Sequence, residues 1–151
     1  MEGFYVRAGD SVSFAKTVGE HDVYGFAGIT GDFAPNHVNE QYMGGARFGR
    51  RIAHGALLVG YMSTCSTMLV ERHGGWSGEE TAVSLGYDRI RFLAPVYLGD
   101  TVTLTYTVVE ADEAKRQALA DIRVVNQRGE LVAVARHIIR WVRDARQGDA
   151  K

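Results

Sequence analysis

The second half of the chain alternates between apolar and polar residues in the way that β-strands do. Residues 101–108 place Val, Leu, Tyr and Val on one side and four threonines on the other, which is typical of a strand with one face in the core and one in solvent. By the same criteria the sequence predicts a short early strand over residues 11–18 and three further strands over residues 81–92, 114–126 and 130–142. Residues 126–129 are predicted to form the hairpin turn between the last two strands.

The first half of the chain has helical spacing instead. Residues 56–70 are apolar or small on every face and carry no charge. About fifteen residues are too few to cross a bilayer but suit a helix buried inside a fold. Shorter helices are predicted over residues 20–30 and 39–46, with Asn39 as the N-cap of the second and an irregular loop at 31–35 between them.

These elements together predict a fold class. One long apolar helix and about five strands are typical of an α+β protein in which a curved, mostly antiparallel sheet wraps around the helix, the hot-dog arrangement. The 151 residues are 46% hydrophobic, which predicts a single globular domain, with the polar residues 143–151 as a frayed tail.

Charge and cysteine content exclude several function classes. The formal net charge of -1 creates no field of one sign, so nucleic-acid binding is not expected. The one cysteine, Cys65, cannot form an internal disulfide. The chain also has neither a leader-like N-terminus nor an apolar run of about 18 residues. We therefore expect a cytoplasmic protein with no membrane partner.

Asp32 and His37 are the first candidates for chemistry. They lie five residues apart in a segment that contains Pro35, so the turn, and not a regular helix, sets their relative position. A carboxylate and an imidazole held together can bind one water molecule between them, and histidine exchanges protons near neutral pH. The alternative is that Asp32 caps the turn and His37 is a half-buried polar group without a catalytic role.

Gly55 lies at the start of the long apolar helix, directly after His54. Backbone N–H groups at a helix N-terminus lack partners inside the helix and stabilise an anionic oxygen. One interpretation is therefore an oxyanion hole. The other is an ordinary junction between a loop and a helix, where glycine only permits close packing.

Three motifs in order carry a resemblance to a known family. They are Gly-Asp-x-x-Pro-x-His at residues 31–37, Ile-Ala-His-Gly at residues 52–55 ahead of the apolar helix, and Phe-x-x-Pro-Val-x-x-Gly-Asp at residues 92–100. Between about residue 11 and residue 142, the chain resembles the MaoC-like dehydratase family, whose best-known members are (R)-specific enoyl-CoA hydratases.

The resemblance implies a hot-dog homodimer that needs neither a metal ion nor an organic cofactor. Such an enzyme, a lyase, adds water to a trans-2-enoyl thioester to give the (R)-3-hydroxyacyl thioester, or removes the water again. By resemblance, Asp32 and His37 jointly hold and activate the water, and the N–H of Gly55 polarises the thioester carbonyl. Ser63 matches a helix serine that helps to orient the catalytic groups.

Substrate contacts are expected around the same loop and junction, from Asn36, His54, Arg47, Arg50 and Arg51. The three arginines are suited to the phosphates of coenzyme A or of an acyl-carrier pantetheine, or they are merely solvated. Two positions depart from the family pattern, since Ala34 stands where Asn is usual and Asn36 where an aliphatic residue is usual. These departures bear on the substrate more than on the reaction.

Two other functions stay open at this point. A hot-dog acyl-CoA thioesterase would use the same helix start with a water activated by Asp32, although hydrolysis does not require a histidine five residues later. The other is a subunit that binds acyl thioesters without catalysis.

The three remaining histidines, His21, His73 and His137, are expected to be structural.

Overall fold

The computed structural model of the chain describes residues 4–73 and 79–144. Within these residues, one long helix and three shorter ones accompany a five-stranded sheet. In chain order the elements are β1 (Ser11–Thr17), α1 (Glu20–Thr30), α2 (Pro35–Val38), α3 (Glu40–Gly44), α4 (Gly55–Arg72), β2 (Glu80–Phe92), β3 (Thr101–Asp112), β4 (Gln117–Val125) and β5 (Leu131–Arg143).

The sheet has the strand order β1-β3-β4-β5-β2, and every neighbouring pair is antiparallel. The predicted hairpin turn joins β4 to β5, where the N–H of Gly129 donates to the carbonyl of Asn126 at 2.9 Å. Gly129 has a φ of 76° there, which glycine adopts without steric cost. The predicted antiparallel sheet of about five strands is confirmed.

The predicted strand over residues 114–126 begins later, at Gln117. Residues 113–116 form the turn that leaves β3, and the N–H of Arg116 donates to the carbonyl of Glu113 at 3.1 Å. Arg116 has a φ of 53°, and this left-handed conformation cannot continue a strand. Its guanidinium donates to the carboxylate of Glu80 in β2, which lowers the pKa of Glu80.

The predicted helix over residues 39–46 is shorter than expected, and a separate helical turn precedes it. Asn39 is its N-cap as predicted, because the side-chain oxygen accepts from the N–H of Tyr42 at 2.9 Å. The preceding turn, α2, begins with Pro35 at its first position, where proline's fixed φ suits a helix. His37 therefore lies on a helical turn and not in an irregular loop.

Helix α4 packs one face against the sheet and leaves the other exposed. Its buried side chains join the sheet residues in one hydrophobic core; they are Leu57, Leu58, Tyr61, Met62, Cys65, Ser66, Leu69 and Val70. The opposite side shows small residues to solvent, namely Gly60, Ser63, Thr64 and Thr67. The expectation of a helix buried on all sides is thus met on one face only within this chain.

Among the described residues, no helix is long and apolar enough to cross a membrane. Cys65 is a free, buried thiol.

The first residues of the predicted frayed tail are ordered by the sheet. Arg143 is the last residue of β5, and the hydroxyl of Thr81 donates to the carboxylate of Asp144 at 2.8 Å. Residues 145–151 lie outside the described part of the chain.

Candidate active site

The end of α1 delivers Asp32 to the site. Gly31 caps the helix with a φ of 82°, and its N–H donates to the carbonyl of Ala27 at 2.8 Å. Asp32 then uses one carboxylate oxygen to accept from the N–H of Ala34 at 3.2 Å. Asp32 therefore does cap its turn, and its side chain remains exposed, so the second carboxylate oxygen is open to another partner.

His37 is nearly buried and has one ring nitrogen committed to the backbone. Its Nδ1 lies 2.8 Å from the carbonyl oxygen of Ile52, and because a carbonyl only accepts, the proton is on Nδ1. The Nε2 atom is left for other partners, and Asn36 Nδ2 lies 3.4 Å from it. The backbone N–H of Ile52 donates to the carbonyl of Asn36 at 3.0 Å, which ties the two segments together.

His54 lies behind this pair. Its ring stacks on the ring of His37, with centroids 3.7 Å apart and planes 27° apart. Its Nε2–H donates to the backbone carbonyl of Asp32 at 2.9 Å. The residue is only 2% exposed, so it offers no surface to a substrate within this chain. It contacts Asp32 and His37 instead.

Gly55 is the first residue of α4, and among the described residues its N–H has no hydrogen-bond partner. The ring of Phe92 packs against it so closely that a Cβ atom at residue 55 would lie 2.6 Å from that ring. A side chain at residue 55 would therefore displace the Phe92 ring, and glycine is also suited to present its N–H. Phe92 is a site residue that sequence reasoning missed, although it is the first residue of the motif at 92–100.

A cavity of about 370 Å³ opens in front of His37 and the start of α4. His37, Asn36 and Gly55 line it together with apolar side chains, namely Phe48, Ile52, Ala53, Leu58, Phe92, Leu93, Ala94, Pro95 and Val96. The structure thus brings the imidazole of His37 and the start of α4 to one pocket with an apolar wall. A larger cavity, of about 1190 Å³, lies elsewhere, around Trp141 and Arg116, away from all of these groups.

Asp32, His37 and His54 each offer a ligand atom, and these atoms lie within 4.8 Å of one another. One water molecule that makes two hydrogen bonds of about 2.8 Å at a tetrahedral angle spans about 4.6 Å. A metal ion fits less well, because the lone pairs of two stacked rings lie in nearly parallel planes and do not converge on one ion at about 2.1 Å. The cluster favours a water molecule between Asp32 and His37.

The three arginines have different surroundings. Arg51 bridges α1 to α3, with Nη1 2.9 Å from Glu20 and Nε 2.6 Å from Glu40, and its hydrogen bonds lower the pKa of Glu20. It is therefore committed to carboxylates of its own chain. Arg47 and Arg50 are exposed, and the guanidinium of Arg50 lies over the ring of Tyr97, 4.1 Å from its centroid.

Ser63 is not beside the other candidates within this chain. It is exposed on α4, eight residues after Gly55, and therefore about 12 Å further along the helix axis. Its backbone carbonyl accepts from the hydroxyl of Ser66 at 2.8 Å.

The remaining histidines lie away from the pocket. His21 is exposed on α1. His73 caps the C-terminal end of α4, and its Nε2 lies 3.7 Å from a carboxylate oxygen of Asp10. His137 is fully buried, with its ring nitrogens 2.7 Å from the Tyr106 hydroxyl and 2.8 Å from the Ser84 hydroxyl.

Comparison with known proteins identifies a family and several relatives for this chain. Residues 6–128 match the family model described as MaoC like domain. An (R)-specific enoyl-CoA hydratase of Rhodospirillum rubrum is 44% identical over 103 residues, which make up 68% of this chain and 66% of that protein. A 3-hydroxybutyryl-CoA dehydratase of Methylorubrum extorquens is 34% identical over 68% of this chain and 60% of that protein. The match thus spans slightly less than two thirds of both relatives.

The likeness to an Aeromonas caviae protein covers almost the whole chain. Its (R)-specific enoyl-CoA hydratase is 28% identical over 93% of this chain and 98% of that protein. The solved structure of an (R)-hydratase from that organism has a TM-score of 0.77, with 28% identity over 89% of this chain and 96% of that one. The shared fold therefore includes both the sheet and the segments that hold the site.

Proposed function

Because the chain belongs to the MaoC-like domain family, we propose that it is a hydratase of trans-2-enoyl thioesters. It adds water to give the (R)-3-hydroxyacyl thioester and catalyses the reverse dehydration. The observation that carries the proposal is that His37 and Gly55 line one apolar-walled cavity, where the N–H of Gly55 has no partner among the described residues, and that a carboxylate oxygen of Asp32 lies within 4.8 Å of a ring nitrogen of His37. Relatives named (R)-specific enoyl-CoA hydratase support the same chemistry.

In this proposal the start of α4 activates the thioester. The thioester oxygen accepts from the N–H of Gly55, and the helix dipole adds to the attraction as negative charge develops there. The addition passes through an enolate, whose charge is concentrated on that oxygen. A donor of this kind typically lowers the barrier by about 3 to 4 kcal/mol.

Asp32 and His37 supply the water and the protons. They hold one water molecule between the carboxylate and Nε2, and the pair takes a proton as the oxygen attacks C3. The same pair returns a proton to C2, so one water molecule is consumed and the site ends as it began. Because one water molecule held by this pair supplies both the oxygen and the proton, the two additions are proposed to occur on the same face. Ser63, about 12 Å from Gly55 along α4, takes part only if the assembled protein brings it near.

The substrate is proposed to be an acyl-CoA or a carrier-protein thioester. The apolar wall around Leu58, Phe92 and Val96 suits an acyl chain, and Asn36 adds one polar group beside His37. Arg47 and Arg50 are exposed and free of carboxylate partners among the described residues, so they are the candidates for phosphate contacts. Arg51 would act indirectly, by joining the helices on either side of Asp32 and His37.

A homodimer in the cytoplasm is part of the proposal. β2 is an edge strand of 13 residues, and its Leu85 is 51% exposed. The exposed small-residue face of α4 adds a second uncovered surface. A long unpaired edge is normally covered in a stable protein, and pairing two copies of β2 would cover it. The reduced, buried Cys65 suits a reducing compartment, and the proposed chemistry needs no cofactor.

Hydration, hydrolysis and simple binding are separated by one assay. A short trans-2-enoyl-CoA is incubated with the protein while the absorbance of the conjugated thioester and the release of free thiol are followed together. Loss of absorbance without thiol is the expected result. Thiol release would replace the proposal with a thioesterase, and no change across a panel of acyl chains would leave only a binding role.

A further inference from the structure

We propose that His54 is a positioning residue that holds the two reacting side chains in register. This inference rests on the proposed function, because it assigns how Asp32 and His37 are kept in place for it. Two separate contacts of one buried ring carry the argument: a hydrogen bond to the main-chain oxygen of Asp32 and a stack on the ring of His37.

The hydrogen bond fixes the loop that carries the carboxylate. His54 Nε2–H donates to the main-chain oxygen of Asp32 at 2.9 Å, 22 positions earlier in the chain. The side chain of Asp32 is exposed, and among the described residues only this bond, apart from those of its own turn, joins its peptide to the rest of the site. Without it, the carboxylate would keep its local turn but lose its fixed distance to His37.

The stack fixes the ring of His37 from the other side. The Nδ1–H of His37 already donates to Ile52, which leaves the ring free to rock about that bond. The ring of His54 stacks on it with centroids 3.7 Å apart, and the ring of Phe26 packs against His54 with centroids 4.7 Å apart. The direction of His37 Nε2 is thereby set by packing.

A buried polar atom without a partner indicates that His54 does more than fill the core. Its Nδ1 is buried and has no hydrogen-bond partner among the described residues, and such an atom destabilises the fold. His137, equally buried, has hydroxyl partners for both nitrogens. An apolar ring would fill the position of His54 without the orphaned atom, so the N–H to Asp32 is the feature that only the histidine supplies.

Kinetics of three variants test the inference. His54→Phe keeps the ring and loses the N–H, His54→Gln keeps an N–H and loses the ring, and His54→Ala loses both. A displacement of about 1 Å at reacting groups costs on the order of 10²-fold. We expect kcat to fall about tenfold or more in the first two variants and further in the third. KM should stay within about twofold, since His54 does not line the cavity.

His137→Gln is the matched control, a buried histidine remote from the pocket. It should lower the thermal midpoint of unfolding while kcat stays within about twofold of wild type. If His54→Phe retains kcat within about threefold, or loses activity only through KM, the positioning role is wrong while the hydratase proposal stands. If the wild-type protein hydrates no enoyl thioester, both fall.

The tautomers give a test that needs neither activity nor a folded variant. Long-range proton–nitrogen correlation spectra of the wild-type protein should show the proton of His54 on Nε2 and that of His37 on Nδ1. A proton on Nδ1 of His54 would remove its donor to Asp32 and overturn the inference.

Discussion

The ring of Phe92 lies directly on Gly55, so that a Cβ atom at residue 55 would be 2.6 Å from it. This contact joins the end of β2 to the first turn of α4, where the N–H of Gly55 has no partner in the part of the chain that the structure describes. Phe92 is 52% exposed, so its ring has room to move when it is pushed. A side chain at residue 55 would therefore disturb the pocket before it disturbed the core.

Gly55→Ala should lower kcat by about tenfold or more while the protein stays folded, because the methyl group and the displaced ring crowd the oxyanion position. Adding Phe92→Leu should restore part of the loss, since the smaller side chain relieves the contact. Steady-state kinetics with thermal unfolding of the same samples measure both effects. Full activity of Gly55→Ala would show that the carbonyl does not bind at this helix start.

Asp32→Asn and His37→Gln should each lower turnover at least about 10²-fold, the usual contribution of a general acid or base. Both residues hold the same water molecule, so their losses should not add. The double variant is therefore expected to be scarcely worse than the poorer single variant. Near-normal turnover of either single variant on the best substrate would remove that residue from the mechanism.

Most of the fold is predictable from local patterns. The threonines of β3 alternate with buried side chains, Asn39 is placed to cap α3, and residues 126–129 have turn chemistry. Each of these signals lies within a few residues of the structure that it specifies. The single turn α2 was missed because four residues are too few to show a helical period, and its one signal was Pro35 at the first position.

Three of the residues that the sequence analysis singles out, Asn36, His37 and Gly55, line one cavity, but the contacts around them are not predictable from the sequence. The pairing of His37 with the carbonyl of Ile52, and of Arg51 with Glu20, joins positions 15 and 31 residues apart. Such contacts depend on how α1, α2 and the segment before α4 pack, which no local pattern encodes. For that reason a phosphate-binding Arg51 was a reasonable expectation, and its commitment to two carboxylates emerged only from the fold.

The stability of the protein should depend on pH through His137. Burial lowers the pKa of His137 from 6.5 to about 4, so between these values the unfolded chain binds more protons than the folded one. The free energy of unfolding should be at its full value above about pH 6.5 and fall by about 3 kcal/mol as the pH decreases to 4.

Urea unfolding of wild type and His137→Gln across this pH range isolates the contribution, because other titrating groups are common to both. The difference between the two proteins should shrink as the pH falls. A difference that is constant with pH would mean that His137 is not held neutral by its buried position.

Activity should depend on dimer formation. Pairing of two copies of β2 would place the interface next to Phe92 and the cavity. Dilution below the dissociation constant of the dimer should therefore reduce the specific activity together with the average molecular mass in solution. Sedimentation equilibrium and turnover across one dilution series test this. A fully active species with the 16.6 kDa mass of one chain would contradict the dimer.

The configuration of the product tests the central claim most directly. A trans-2-enoyl-CoA is converted by the protein, and the 3-hydroxyacyl product is separated by chiral chromatography after the absence of free thiol has been verified. The relatives named (R)-specific enoyl-CoA hydratase support the proposal that the water held by Asp32 and His37 attacks the same face here, so the product should be the (R) enantiomer alone. A pure (S) product, or a racemic one, would contradict the assignment of these residues to that face.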